Sequence, residues 1–562
     1  MTSSQKTSLS HLAPYFSYDD HARLCVHHGD NFQHKTRLES LHQELISQGA
    51  TTPCVLYFDH ILKHRMEWIY SSFSKACEKY GYEGRYALSY PIKVNPAFEI
   101  LSTLKQHADH KGYAFHFEVG SKSEMLAVLA VAEPHNRIVV NGFKDRAFYG
   151  LAQLATDKGF DVIMVIEHID ELSCIEAMME EGVTPAFDIG LRLKPVLNDI
   201  HSLKFGLSFV DVCEAARFLF SHRLERRLKL LHGHIGSQLD HYAKVAAHAR
   251  YMVRFYAELK PLCQNLTILD FGGGLGVDYH GDAHRRYDPD FYAGQIVSSC
   301  MEACLFYGVD HPDIFTESGR AVTAHSSLLM VDPQHIEKKT GSLFTQDGRG
   351  YANKAIIDQW LDGQVNMREA MTALQDNDKQ KDEETKAWWL NFSLFQSLPD
   401  HWGIAQHFPI LPLEHYEPNI EEGVRLFDIS CDADGIFGEK NGGGVMLPCA
   451  YPGTLAVMLT GAYQSMLSAK HNMIGNTARA MIHFEEGLMN LDVTEAESNY
   501  LLLMQYGYNP LEILSRLKLK CDDEAQLKDD DAFIDAMIMQ SPYLQPMASK
   551  VDAKASLNSL LG

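Results

Sequence analysis

Lys93 sits in the run SYPIKVNP, between Ile92 and Val94. An amine drawn into a partly apolar site loses hydration, so its pKa falls and it becomes nucleophilic. That suits Schiff-base formation with a carbonyl compound. DFGGGLG (270–276) follows an apolar run, and Gly272, Gly273, Gly274 and Gly276 let backbone N–H groups approach an anion. It is neither a dinucleotide fingerprint nor a P-loop, because Val277 fills the third-glycine place and no GK[ST] follows. ESGR (317–320) sets a carboxylate and a guanidinium three residues apart. Arg320 can clamp a phosphate through paired N–H groups, and Glu317 can hold a proton on a heterocyclic nitrogen. HGHIGSQ (232–238) offers His234 to stack on a planar group and Ser237 to donate to a phosphate. SCDADG (430–435) puts Cys431 beside Asp432 and Asp434. It lacks the length and closing glutamate of an EF-hand. A thiol flanked by carboxylates is a better proton donor than thiolate nucleophile. Each segment alone is equally open to a structural role: a capping lysine, a glycine turn, a local ion pair, an Asp-Gly turn.

The elements that must position these residues have a rhythm. Eight short apolar runs occur at 87–94, 113–120, 137–142, 161–167, 186–193, 228–236, 266–274 and 313–320. Most are followed by helix-compatible stretches. Ser121 to Glu124 has the S-x-x-E capping pattern ahead of MLAVLAVA, and 169–181 has apolar residues at helical spacing. Eight strand–helix units predict an α/β fold, a (β/α)8 TIM barrel. An open doubly wound sheet would carry GxGxxG after its first strand, and none is present. Nearly every run ends in a polar or glycine cluster: Lys93, Glu118, Asn141, Glu167, Arg192, His234, Gly272 to Gly274, and Glu317. In a barrel these ends meet at one face, where active sites form.

After residue 320 strand-like runs follow without regular helices, which predicts an antiparallel β-domain. A short run at 22–28 can join it from the N-terminal side. The expected division is an N-terminal segment (1–60), the barrel (61–332), a short charged helical insert (333–388) and a C-terminal β-domain with terminal helices (389–562). The tail, DDEAQLKDDDAFIDAMI, reads as an acidic surface helix.

The 562 residues imply more than one domain, at roughly 100–200 residues each. Fifty basic against 73 acidic side chains leave a net charge of −23, unsuited to sequence-independent nucleic-acid binding. The eleven cysteines are scattered singly without a CxxC pair, which fits reduced thiols and gives no zinc motif. There is no apolar run of membrane length, so the expected location is the cytoplasm, with no nucleic acid or membrane as partner.

Together these segments resemble the alanine racemase-like (fold type III) pyridoxal-phosphate decarboxylases of basic amino acids, and within them the biosynthetic arginine decarboxylases of bacteria and plants. The matching strings include YGYEGRYALSYPIKVN, EVGSKSEMLAVLA, NGFKDRAFYGLA, HGHIGSQ, LDFGGGLGVDYHG, ESGRAVTAH, NFSLFQSLPDHWGIAQHFPILPLE, SCDADG and GAYQSMLSAKHNMIG. The resemblance implies that Lys93 forms the Schiff base with pyridoxal 5'-phosphate, that Glu317 pairs with the pyridine nitrogen, and that His234 stacks on the ring. It implies Ser237, Gly273, Gly274, Arg320 and Tyr463 at the phosphate, and Glu118 and Arg192 on the imine side. Cys431 would protonate the substrate Cα after CO2 leaves, while Asp400 and Asp432 would face the substrate's distal cation. The product from arginine would be agmatine, on the way to polyamines. A homodimer or higher homo-oligomer is implied, with the Cys431 segment crossing into the partner's site. The family also raises magnesium, for which the sequence shows no clear ligand cluster. Pro96 in KVNP and Ala405 after WGI depart from the arginine enzymes, and the 333–388 insert is shorter than theirs. The first two keep ornithine, lysine or diaminopimelate open as substrates. A non-catalytic relative that binds a partner would have lost cofactor residues, yet Lys93, His234, Glu317, Arg320 and Cys431 are all present.

Overall fold

The computed structural model describes residues 9–195, 204–239, 241–281, 287–370, 372, 384–416, 422–438, 445–447, 453–485, 488–518 and 534–544, apart from 341–353. The chain divides into two units. One is Phe58–Ser327 with Leu459–Met466; the other is Met1–Tyr57, Leu328–Met458 and Leu467–Gly562.

The first unit is a closed eight-stranded barrel. Its strands are β1 (Tyr86–Pro91), β2 (Phe115–Val119), β3 (Arg137–Val140), β4 (Asp161–Ile166), β5 (Asp188–Arg192), β6 (Leu228–His232), β7 (Ile268–Asp270) and β8 (Asp313–Thr316). Each pairs in parallel with its sequence neighbour, and β8 closes on β1 through Ile314, Phe315 and Thr316 opposite Tyr86, Ala87 and Leu88. All eight expected strands are present. Their sequences are near-continuous apolar runs because both faces are covered: every residue of β2 is buried. Inside the barrel Ala87, Val139, Ile163, Val165, Leu230, Ile268 and Phe315 pack into one cluster. Small Gly190 on β5 keeps that layer close, since a Cβ there would stand 3.0 Å from Val165 and 3.1 Å from Leu230.

The helices between strands are capped as the sequence suggests. Ser121 Oγ accepts from Glu124 N at 3.2 Å, while Glu124 Oε2 accepts from Gly120 N at 2.5 Å rather than from the capping residue itself. The helical spacing at 169–181 becomes Leu172–Glu180, entered through a 3-10 turn.

The second unit holds three sheets. Phe16–Tyr18, Leu24–His28 and His34–Arg37 form a three-stranded meander, so the 22–28 run pairs locally. A six-stranded sheet runs Ile410–Pro412, Leu455–Met458, Ser327–Val331, Cys54–Phe58, Ala478–Glu485, Leu488–Thr494, which joins strands from both sides of the barrel sequence. The third sheet corrects two expectations. Pro333–Thr340 and Glu384–Leu390 are antiparallel strands, where an exposed helix or linker was expected, and only Lys354–Leu361 within that stretch is a described α-helix of more than one turn. Glu384–Leu390 then pairs in parallel with Glu422–Phe427, so this domain is not wholly antiparallel. The charge-rich residues 376–383 and most of the expected acidic tail helix lie outside the described residues. AVTAH begins as the helix Gly319–Thr323, and the strand starts only at Ser327.

The barrel-core cluster yields a stability prediction. Phe315 is 3 % exposed, and Phe315→Ala should destabilise the chain by about 3–5 kcal/mol. A lowered urea midpoint at unchanged m-value is the expected reading, and an unchanged midpoint would contradict this packing.

Candidate active site

A cavity of about 340 Å³ opens where the carboxyl ends of the barrel strands converge, lined by Lys93, Glu118, Asn141, Arg192, His232, His234, Glu317, Arg320 and Tyr463 among others. Proline explains the placement of Lys93. Having no N–H, Pro91 ends β1, and the chain turns through the 3-10 segment Ile92–Val94. Ile92 and Val94 are fully buried, whereas the Lys93 side chain is 49 % exposed, projecting into the cavity.

Lys93 Nζ donates to Glu118 Oε2 at 2.8 Å. Burial pulls this amine's pKa down, but the carboxylates of Glu118 and Glu317 outweigh burial and hold it above the ordinary lysine value. The sequence reading expected the reverse, because desolvation is visible in an apolar tripeptide and two distant carboxylates are not. Glu118 is 1 % exposed, and burial raises its carboxyl against the opposing pull of Lys93.

The carboxylates are linked. Asn141 Nδ2 donates to Glu118 Oε1 and to Glu317 Oε1, each at 3.0 Å. His232 Nε2 reaches the same Glu317 oxygen at 3.1 Å. Burial depresses His232 and His234 to about 3, so both are neutral near pH 7. With a carboxylate oxygen as acceptor, the His232 proton belongs on Nε2. His234 Nδ1 accepts from Gly273 N at 3.2 Å, so its proton also sits on Nε2. Fully buried Asp270, at the end of β7, is pushed well above the carboxylate range by burial and by Glu317, and its Oδ1 accepts from Gly272 N at 2.9 Å.

On the other side of the cavity the backbone is shaped for an anion. Gly274 has φ +133°, and a Cβ there would stand 2.7 Å from Leu239 Cδ1; a Cβ on Gly273 would stand 3.1 Å from the Glu317 carbonyl oxygen. Ser237 lines the same wall. The Arg320 guanidinium lies 4.6 Å from the Tyr463 ring centre and donates to Tyr279 Oη at 3.2 Å. Arg192 pairs with Glu167 and lies 5.1 Å from the Phe205 ring centre.

Ten sequence-nominated residues therefore line one cavity: Lys93, Glu118, Arg192, His234, Ser237, Gly273, Gly274, Glu317, Arg320 and Tyr463. The other three, Asp400, Cys431 and Asp432, belong to the second unit. There Asp428 organises the SCDADG turn: its Oδ1 accepts from Ser430 N and Oγ, and its Oδ2 accepts from Leu394 N at 2.8 Å. Exposed Cys431 donates its N–H to Asn472 Oδ1 at 3.0 Å, and Asn472 Nδ2 donates back to its Sγ at 3.1 Å. Asp432 pairs with His471 at 3.4 Å, and Asp400 is buried. The residue-level reading passed over Asn141, His232, Asp270 and Tyr279 as site residues. For the first three the available signal was their address at the end of a barrel strand.

Three comparisons bear on this chain. Residues 66–324 match the family described as pyridoxal-dependent decarboxylase, pyridoxal binding domain. The biosynthetic arginine decarboxylase of Yersinia pestis is 32% identical, over 86% of this chain and 84% of its own length. That of Escherichia coli K12 is 30% identical, over 88% and 86%. The crystal structure of the biosynthetic arginine decarboxylase of Campylobacter jejuni superposes with a TM-score of 0.82 at 26% identity, covering 96% of this chain and all of that one. Diaminopimelate decarboxylase of M. jannaschii in co-complex with L-lysine shares the fold, with TM-score 0.66 at 18% identity over 89% of this chain and 99% of its own.

The pairing of Lys93 with Glu118 predicts an amine reactivity. Glu118→Gln removes a carboxylate that raises the Lys93 pKa, so burial gains ground and more of the amine is neutral at pH 7. Reductive methylation of Lys93, followed by mass spectrometry, should become several-fold faster in the variant. An unchanged or slower rate would contradict the electrostatic balance described here.

Proposed function

As this chain belongs to the pyridoxal-dependent decarboxylases, in the group of the biosynthetic arginine decarboxylases, we propose that it converts L-arginine to agmatine and CO2 as a step toward polyamines. The observation that carries the reading is a lysine, Lys93, lining one cavity with a buried carboxylate, Glu317, in a chain that aligns with arginine decarboxylases over more than four-fifths of both lengths.

The residues present fit pyridoxal phosphate. An amine in the cavity suits its aldehyde, a buried carboxylate suits its ring nitrogen, and glycines that a Cβ would crowd, with a nearby guanidinium, suit its phosphate. When bound, the cofactor supplies the electron sink that makes loss of CO2 from an amino acid feasible. Lys93 would hold the aldehyde carbon and yield it to the substrate amine. Glu118, already hydrogen-bonded to Lys93, would balance the positive charge on that nitrogen. Glu317 would keep a proton at the ring nitrogen. Neutral His234 would cover one ring face without adding a competing charge, and Arg192 would lie on the imine side. Gly273, Gly274, Ser237, Arg320 and Tyr463 would bind the phosphate. Cys431 would return a proton to the substrate Cα, and Asp400 and Asp432 would receive the distal guanidinium.

The exposure of Cys431 on its own unit supports its role as a residue that meets a partner copy, so the active enzyme would be at least a homodimer. Among the described residues one cluster brings three His, Cys or acidic ligands together, His232, Asp270 and Glu317, which surrounds the proposed ring-nitrogen position. No described helix is long and apolar enough to cross a membrane, and the nine described cysteines are free.

Decarboxylation of ornithine, lysine or diaminopimelate is the second reading. It draws on Pro96 and on Ala405, which ends the helix Pro399–Ile404 at φ 55°. Alanine is a costly choice for that left-handed position, where asparagine or aspartate is better tolerated.

CO2 release from carboxyl-labelled arginine, ornithine, lysine and diaminopimelate decides between the readings. Arginine should give the highest kcat/KM, and a better substrate among the other three would overturn the proposal. Cys431→Ala should lower kcat with little change in KM, because its proton is needed only after the bond breaks. A change in KM alone would argue against the donor role.

A further inference from the structure

Glu118 and Glu317 are both buried and serve opposite ends of the same flat group, one at Lys93 and one at the ring nitrogen. A single side chain touches both. The two hydrogens of Asn141 Nδ2 are divided between Glu118 Oε1 and Glu317 Oε1, each at 3.0 Å. The result is an unbroken chain of hydrogen bonds: Lys93 Nζ to Glu118 at 2.8 Å, Asn141 to each carboxylate, and His232 Nε2 to Glu317 at 3.1 Å. Asn141 comes from the turn immediately after β3, where its own N–H is tied to the Val119 carbonyl at 2.8 Å. Its Oδ1 is buried without a hydrogen-bond partner among the described residues. An amide with one satisfied end is oriented by that end, and here the satisfied end is the donor.

The geometry points to Asn141 as a positioning residue that holds Glu118 and Glu317 side by side and fixes the oxygen each presents to the cofactor. This rests on the cofactor reading above. Two carboxylates joined by a carboxylate would be forced to share a proton; joined by an amide N–H2, each gains a donor and neither needs one. The charged and titratable groups around the bridge include Lys93, Glu124, Glu167, Arg192, His232, His234, Asp270 and Tyr463, with both histidines neutral. Among the described residues the cation hydrogen-bonded to the pair is Lys93, and Asn141 with neutral His232 supplies the other donors.

The test uses the full-length protein loaded with pyridoxal phosphate and follows the visible absorption of the bound cofactor against pH. Asn141→Asp replaces the shared donor with a third acid and should move the midpoint to higher pH by about one unit or more. Asn141→Ser removes the bridge with little change in bulk and should move it in the same direction. Turnover in both should fall about ten- to a hundredfold in kcat, and more in kcat than in KM. Adding Glu118→Gln to Asn141→Asp removes one of the crowded charges, so the midpoint should return toward the wild-type value. Variants that titrate as the wild type does would overturn the inference. So would a Glu118→Gln shift of the same size with and without Asn141. The spectral titration needs no substrate, so a protein that ignores arginine would fail the substrate comparison and still report on Asn141.

Discussion

The site depends on holding two buried carboxylates and one amine in a fixed charge balance. An unpaired carboxylate inside a protein either neutralises or costs several kcal/mol. Glu118 escapes this through Lys93 and Asn141, and Glu317 through Asn141 and His232. Asp270, with a backbone N–H on one oxygen and Glu317 nearby, is instead driven toward its neutral form. Three acids within one barrel mouth are thus held by different sets of partners.

That balance is why the barrel matters. Each partner comes from a different strand: Lys93 follows β1, Glu118 lies in β2, Asn141 follows β3, His232 ends β6, Asp270 ends β7 and Glu317 follows β8. A parallel barrel brings all eight carboxyl ends to one mouth while apolar layers beneath keep water out. The low pKa of both histidines has the same origin, since burial without a carboxylate strong enough to compensate leaves the imidazole neutral. The donors around Glu317 are then an amide and a neutral imidazole, neither of which carries a charge.

Much of this was legible in the residues. Eight apolar runs ending in polar clusters are a direct consequence of a barrel with covered faces, and all eight strands formed. Glycines in DFGGGLG and the Glu317–Arg320 spacing pointed to the right wall because backbone approach and charge are local properties. The pKa of Lys93 was read with the wrong sign, since the carboxylates that set it lie 25 and 224 residues along the chain. Asn141 was seen as a strand end but not as a bridge, because its partners are set by barrel closure. The strands Pro333–Thr340 and Glu384–Leu390 were hidden by their charge: Lys338, Lys339 and Lys386 read as solvated helix, although Pro333–Thr340 is an edge strand, where charged residues are common. For the residues of the second unit, the motif exposed the turn and the Asp428 contacts explain its shape, while their roles rest on resemblance to the family.

The most direct test of the account is to reduce the loaded protein with borohydride and find which peptide carries the cofactor by mass spectrometry. The account predicts a single modified residue, Lys93, and no trapping in Lys93→Ala. Modification of any other lysine in the wild type, or trapping that persists in Lys93→Ala, would contradict it.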